Sequence, residues 1–215
     1  MKRALVTGSD GELGKELCLQ LEAKGYEVVG STNKQCALGS WMFVGKFSVV
    51  INNYGINFLS KIGEAHIGRE IMQNNVVLPY DIVSALVRND NGPAQVINVS
   101  SITHRVPQRC SALYCASKAA LVQMTRVMAR ELAPKGWQIN CYCPGKILDT
   151  EMTRKTDKQV LELRGWDKDY ADKYALSNVP VGRFMTKSEA AHNCLAILNF
   201  TNYVNGAIIE ASGGQ

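Results

Sequence analysis

Short, almost wholly apolar runs recur along this chain: RALVTG at 3–8, YEVVGS at 26–31, FSVVINNYG at 47–55, AQVINVSS at 94–101, WQINCYCPG at 137–145 and GAIIEASGG at 206–214. A strand with one face in water alternates apolar and polar residues, and these runs do not. They demand cover on both faces. The intervening segments supply it: Leu13, Leu17 and Leu21 repeat every four residues, and long helical patterns fill 64–88, 112–135 and 187–200. The expected fold is α/β, a doubly wound parallel sheet with helices on both sides, in a single domain over 1–215. A serine is expected to cap the helix near 187. The stretch 32–46, broken by Gly39 and Gly45, reads as a loop with at most one short strand and one short helix.

With 215 residues the chain can bury one substantial core, and 46% hydrophobic against 20% charged residues fits a folded protein. The net charge of +5 comes without a Lys/Arg block, which disfavours nucleic acid and suits an anionic ligand. Seven cysteines follow no metal-ligand or disulfide spacing; Cys141 and Cys143, two apart on one strand, read as core packing, and no metal is expected. Unpatterned thiols fit a reducing cytoplasm. The N-terminal MKRALVTGSDG lacks the apolar length of a leader or anchor, and no run suffices for a membrane span.

The first strand runs into VTGSDGELG, with Gly8, Gly11 and Gly14 three apart at the start of the first helix. Missing side chains there let backbone N–H groups and a helix N-terminus approach a pyrophosphate. After the second strand a carboxylate would hold the free adenosine ribose and repel a 2′-phosphate. The chain instead has Thr32, Asn33 and Lys34. The cofactor expectation is therefore NADP(H), with NAD(H) possible.

LYCASKA at 113–119 sets Tyr114 and Lys118 one helical turn apart with only small residues between. A phenol of ordinary pKa near 10 is a poor proton donor and acceptor at neutral pH. A lysine ammonium and a positive nicotinamide beside it favour phenolate and move that pKa down.

Taken with NNYG at 52–55, NVSS at 98–101, CPG at 143–145 and the terminal NGAIIEASGG, these motifs resemble the short-chain dehydrogenase/reductase family over nearly the whole chain. The resemblance implies a Rossmann-fold NAD(P)-dependent oxidoreductase acting between a carbonyl and a secondary alcohol. In that role Ser101 polarises the carbonyl, Tyr114 transfers the proton, Lys118 holds the nicotinamide ribose and Asn75 anchors a proton-relaying water; Asn74 is the weaker candidate. For the cofactor it implies Gly8, Ser9, Gly11, Glu12, Leu13 and Gly14, then Thr32, Asn33 and Lys34. Asn53, Tyr54 and Gly55 follow, with Tyr54 in place of a small residue beside the adenine, then Pro144, Gly145, Ile147 and Thr150. Two features depart from the family's shorter members. Glu12 stands where they carry their middle glycine, and 32–46 is short enough to lack a full helix and an acidic turn for the adenine. One extra residue also separates Thr150 from Pro144-Gly145.

His104 could touch substrate; His66 and His192 read as surface or packing residues. Trp166, Tyr170 and Tyr174, four apart, mark 151–178 as a substrate lid. The expected partner is a small carbonyl or alcohol. A homodimer or homotetramer is expected through the apolar stripe Leu121, Val122, Met124, Val127 and Met128, since family members pair through this helix. Two alternatives compete: a silent NADP-binding regulator, and a nucleotide-sugar reductase or epimerase suggested by the TGxxGxxG turn.

Overall fold

A computed structural model describes residues 2–37, 45–64 and 67–215. Six strands, β1 (Arg3–Thr7), β2 (Glu27–Ser31), β3 (Val49–Asn52), β4 (Gln95–Val99), β5 (Gln138–Pro144) and β6 (Ile208–Ala211), form one sheet in the order β2-β1-β3-β4-β5-β6. Every pairing is parallel. The doubly wound order usually carries one further strand outside β2. Among the described residues β2 is the edge, and it is followed only by the five-residue helix α2 (Asn33–Ala37). Residues 38–44 of the expected loop, together with His66, lie outside the described residues.

Apolarity on both faces follows from the cover on both faces. Leu5, Val50, Val96 and Ile139 point to a core shared with α4 (Leu78–Arg88) and α5 (Ala112–Leu132). Ala4, Val6, Val49, Ile51 and Ile97 point the other way, to α1 (Glu12–Ala23) and α8 (Lys187–Ala196), where Leu17, Leu21 and Leu195 meet them. Cys141 and Cys143 pack with Val122, their sulfurs 3.8 Å apart. The cap of α8 is Thr186, paired reciprocally with Glu189, so the expected capping serine is corrected. Thr186 stands one residue before the first helical position, where a hydroxyl can reach the third N–H. The stripe on α5 is narrower than expected, because Leu121, Val122 and Met128 are buried within the chain and only Val127 is well exposed.

Order reverses between β1 and β3, and at such a switch the carboxyl ends of neighbouring strands leave a crevice. The segments following β1, β3, β4 and β5 all open into it. Helices α6 (Glu151–Arg164) and α7 (Lys168–Ser177) close its far side.

Candidate active site

The crevice is a cleft of about 1330 Å³, lined from the glycine turn at one end to α6 and α7 at the other. At the turn, Gly8 is left-handed (φ +66°), a conformation that disfavours any side chain. A methyl on Gly14 would collide with the Gly8 carbonyl, so only glycine lets α1 start this close to the turn. Gly11 precedes α1 and no side chain caps it. Leu13, Asn33, Tyr54 and Gly55 line the same end. Asn53 staples β3 to the turn, its Nδ2 donating to Thr7 O at 3.0 Å and Gly8 O at 3.3 Å.

Other candidates there have different partners. Glu12 lines the cleft, but its carboxylate accepts from the Glu151 N–H (3.0 Å) and Arg154 (2.8 Å), tying α1 to α6. Burial opposes its ionisation, yet those hydrogen bonds prevail and its pKa is lowered. Ser9, Thr32 and Lys34 are not on the cleft wall. The Thr32 hydroxyl accepts from Gln35 N at 3.3 Å, as a helix cap does. No acid follows β2 in sequence, yet a carboxylate reaches its end from elsewhere. Asp10, folded back from the glycine turn, accepts from Asn33 N at 2.6 Å.

In the other half, Tyr114 and Lys118 sit on the first two turns of α5 and both are buried. Lys118 Nζ lies 5.6 Å from the Tyr114 ring centre and donates to Val99 O at 3.0 Å. Burial pushes the Tyr114 phenol up to about 12, against a hydrogen bond with Ser101 that pulls it down. Burial also pushes Lys118 down to about 8. The sequence reading had the lysine lowering the phenol; in the polypeptide by itself desolvation dominates both groups.

Asn75 lies in a π-turn (Gln73–Val77) between α3 (Gly68–Met72) and α4, an irregularity often found at functional sites. Its amide accepts from Ile56 N (2.8 Å) and donates to Ile56 O (2.9 Å) and Ser117 Oγ (3.0 Å). It therefore locks the segment after β3 to α5, next to Lys118. Asn74 instead donates to Glu70 O on the exposed side. Ser100, which the sequence reading passed over, donates to Lys118 O at 2.9 Å; its place beside Ser101 was the available signal.

Pro144, Gly145, Ile147 and Thr150 line the cleft beyond β5. Asp149, just before Thr150, is left-handed at φ 57°. Thr150 then caps α6, accepting from Thr153 N at 3.1 Å. His104 is drawn from the cleft to Glu210, 2.9 Å away, beside the Arg105–Glu210 pair at 2.7 Å. It does not line the cleft. His192 is exposed on α8. Trp166 packs against Tyr170 and Tyr174 with ring centres 5.0 and 4.9 Å away.

Residues 37–161 match the model of the short chain dehydrogenase family. The chain belongs to this family. Membership places it among the NAD(P)-dependent oxidoreductases. It is 28% identical over 247 aligned positions to the acetoacetyl-CoA reductase of Rhizobium meliloti (strain 1021), covering 99% of this chain and 97% of that one. The alignment is longer than the chain, so segments of that relative have no counterpart here. Among solved structures, a short chain dehydrogenase family protein from Francisella tularensis superimposes with a TM-score of 0.84 at 23% identity, over 100% of this chain and 98% of that one. The L-sorbose reductase of Gluconobacter frateurii, complexed with NADPH and L-sorbose, does so with 0.79 at 21% identity, over 99% and 95%.

Proposed function

We propose that the protein interconverts a carbonyl and a secondary alcohol with NADP(H), Tyr114 exchanging the proton. The observation that carries this is the grouping of buried Tyr114 and Lys118 with half-buried Ser101 on the cleft wall, where Ser101 draws the phenol pKa down against burial. The protein fits a dinucleotide: the start of α1 is uncapped beside a left-handed glycine, and the cleft exceeds the roughly 300–1,000 Å³ of common ligand pockets. When bound, the nicotinamide supplies or accepts the hydride.

The chain's own residues do the rest. Ser101 Oγ donates to the carbonyl oxygen and, with the phenol, fixes its position. A phenol held protonated by burial delivers its O–H proton as negative charge develops on that oxygen. Lys118, whose ammonium is anchored by Val99 O, binds the ribose hydroxyls and favours the phenolate left behind. Asn75 positions the backbone around Lys118. Helices α6 and α7 are the substrate lid, tied to α1 through Glu12; their amide exchange should slow on NADPH binding, and unchanged rates would contradict a lid.

NADP(H) is favoured because Thr32–Gln35 carries Lys34 and no acid, and the G. frateurii neighbour holds NADPH. Asp10 moderates that preference. A panel of aldehydes, ketones and 3-oxoacyl thioesters, followed by NADPH absorbance, tests the reading. Turnover of at least one carbonyl class is expected; binding of NADPH with no turnover across the panel would overturn it.

A further inference from the structure

Four buried side-chain atoms among the described residues make no hydrogen bond, and three belong to cleft residues: Asn57 Oδ1, Thr103 Oγ1 and Arg164 Nε. A buried polar atom without a partner is unfavourable in the protein alone and points to something that completes it. The arginine is the most informative. It ends α6, its Nη2 donates to the Arg109 carbonyl at 2.9 Å, and its guanidinium lies 4.9 Å from the Trp166 ring centre. The tryptophan face steadies the cation but gives the buried Nε–H no acceptor.

No carboxylate of the described residues pairs with Arg164 or with Arg109, which lines the same wall. Of the other cations of the wall, Lys146 pairs with Asp157, Lys155 with Glu151, Lys158 with Glu162 and Lys168 with Asp172, while Lys118 belongs to the catalytic end. Away from the catalytic end, two guanidinium groups are thus left without counter-ions among the described residues. A planar fork suits an oxoanion in two-point contact, which an ammonium does not.

We infer that the substrate is a carbonyl compound bearing an oxoanion, a carboxylate or a phosphate monoester, gripped by Arg164 with Arg109. This deepens the carbonyl-reduction reading and rests on it for the identity of the reacting group. A cation in the last turn of a helix also suits the helix dipole. That role would be met by lysine and would make no distinction among substrates.

The test compares matched pairs with NADPH: 4-oxopentanoate against its methyl ester, and dihydroxyacetone phosphate against dihydroxyacetone. The anionic member of one pair should exceed its neutral partner at least tenfold in kcat/KM, and the pair showing it names the oxoanion. R164Q should bring that ratio close to one, R109Q should reduce it, and R164K should restore only part of it. NADPH affinity of each variant checks that it folds. Ratios within twofold for both wild-type pairs, or a ratio unchanged in R164Q, would overturn the inference. A second measurement is independent of turnover: succinate or inorganic phosphate added to the enzyme–NADPH complex should change its fluorescence, and R164Q should abolish the response. That response in an enzyme that reduces nothing would sustain the anion site while defeating the reductase reading. Reduction of neutral ketones with no anion response in the wild type would do the reverse.

Discussion

The two ends of the cleft are built differently. At the catalytic end the strands are sealed: every residue of β5 is buried, and the polar groups beneath the site hold one another. Asn52 donates to Asn98 (2.8 Å), Asn98 to Thr125 (2.9 Å) and Thr125 to Leu121 O (2.8 Å). At the nucleotide end β2 is an edge strand with one buried residue in five, and the helix after it spans five residues. Its contacts are exposed caps such as Thr32 with Gln35. A reaction needs atoms fixed in place, whereas adenosine recognition adds affinity and choice of cofactor. The molecule runs a chain of buried side-chain hydrogen bonds beneath the catalytic end, broken only at Asn52 Oδ1 within it, and has no such chain beneath β2 among the described residues.

Substitution at each end should show that contrast. Asn75→Ala removes three hydrogen bonds and leaves Ile56 N–H and Ile56 O without their amide partner, a loss of about 2–4 kcal/mol in urea unfolding. Thr32→Ala removes an exposed cap from a short helix and should cost about 0.5 kcal/mol. Equal losses would erase the distinction.

The buried lysine gives a pH signature confined to the catalytic end. Its folded pKa of about 8 lies below the ordinary lysine value of 10.5, so between them the unfolded chain binds a proton that the folded chain does not. The Lys118 contribution to folding of the cofactor-free protein should therefore rise from pH 8 towards 10, while the buried thiols Cys36 and Cys194, whose pKa values burial raises, work the other way. Below that window the penalty of the buried ammonium is fully present. Above pH 10 the Tyr114 phenol, raised to about 12 when folded, begins to work the other way. Lys118→Met should remove the lysine's contribution, so that the wild-type urea midpoint gains on the variant's as pH rises through this window; the same slope in both would place the titration elsewhere.

A smaller effect is expected at the nucleotide end. The wild type should bind NADPH more tightly than NADH, and Asp10→Ser should widen the ratio several-fold by removing a carboxylate held at Asn33 N. A ratio unmoved by the change would show that Asp10 does not face the 2′ position.

Much of this was legible in the residues. Doubly apolar runs give a covered parallel sheet because few other arrangements bury both faces, and Tyr114, Lys118, Ser101 and Gly145 came together at the cleft as their motifs implied. Contacts over long separations were not legible. Nothing near Glu12 announces Arg154, and nothing near His104 announces Glu210; those partners are fixed by topology. Asp10 was missed because the carboxylate was sought after β2 while the turn after β1 delivers it. The phenol shift was misjudged because a motif shows neighbouring charges and hides desolvation.

The account's central claim is that the Tyr114 hydroxyl carries the proton. Tyr114→Phe removes that one oxygen, and NADPH oxidation on the best carbonyl of the panel, measured beside NADPH binding by fluorescence, tests it most directly. The account predicts kcat reduced by at least a hundredfold, in line with the loss of a general acid, with NADPH affinity within about threefold of wild type. A variant that binds NADPH normally and turns over at close to the wild-type rate would contradict it.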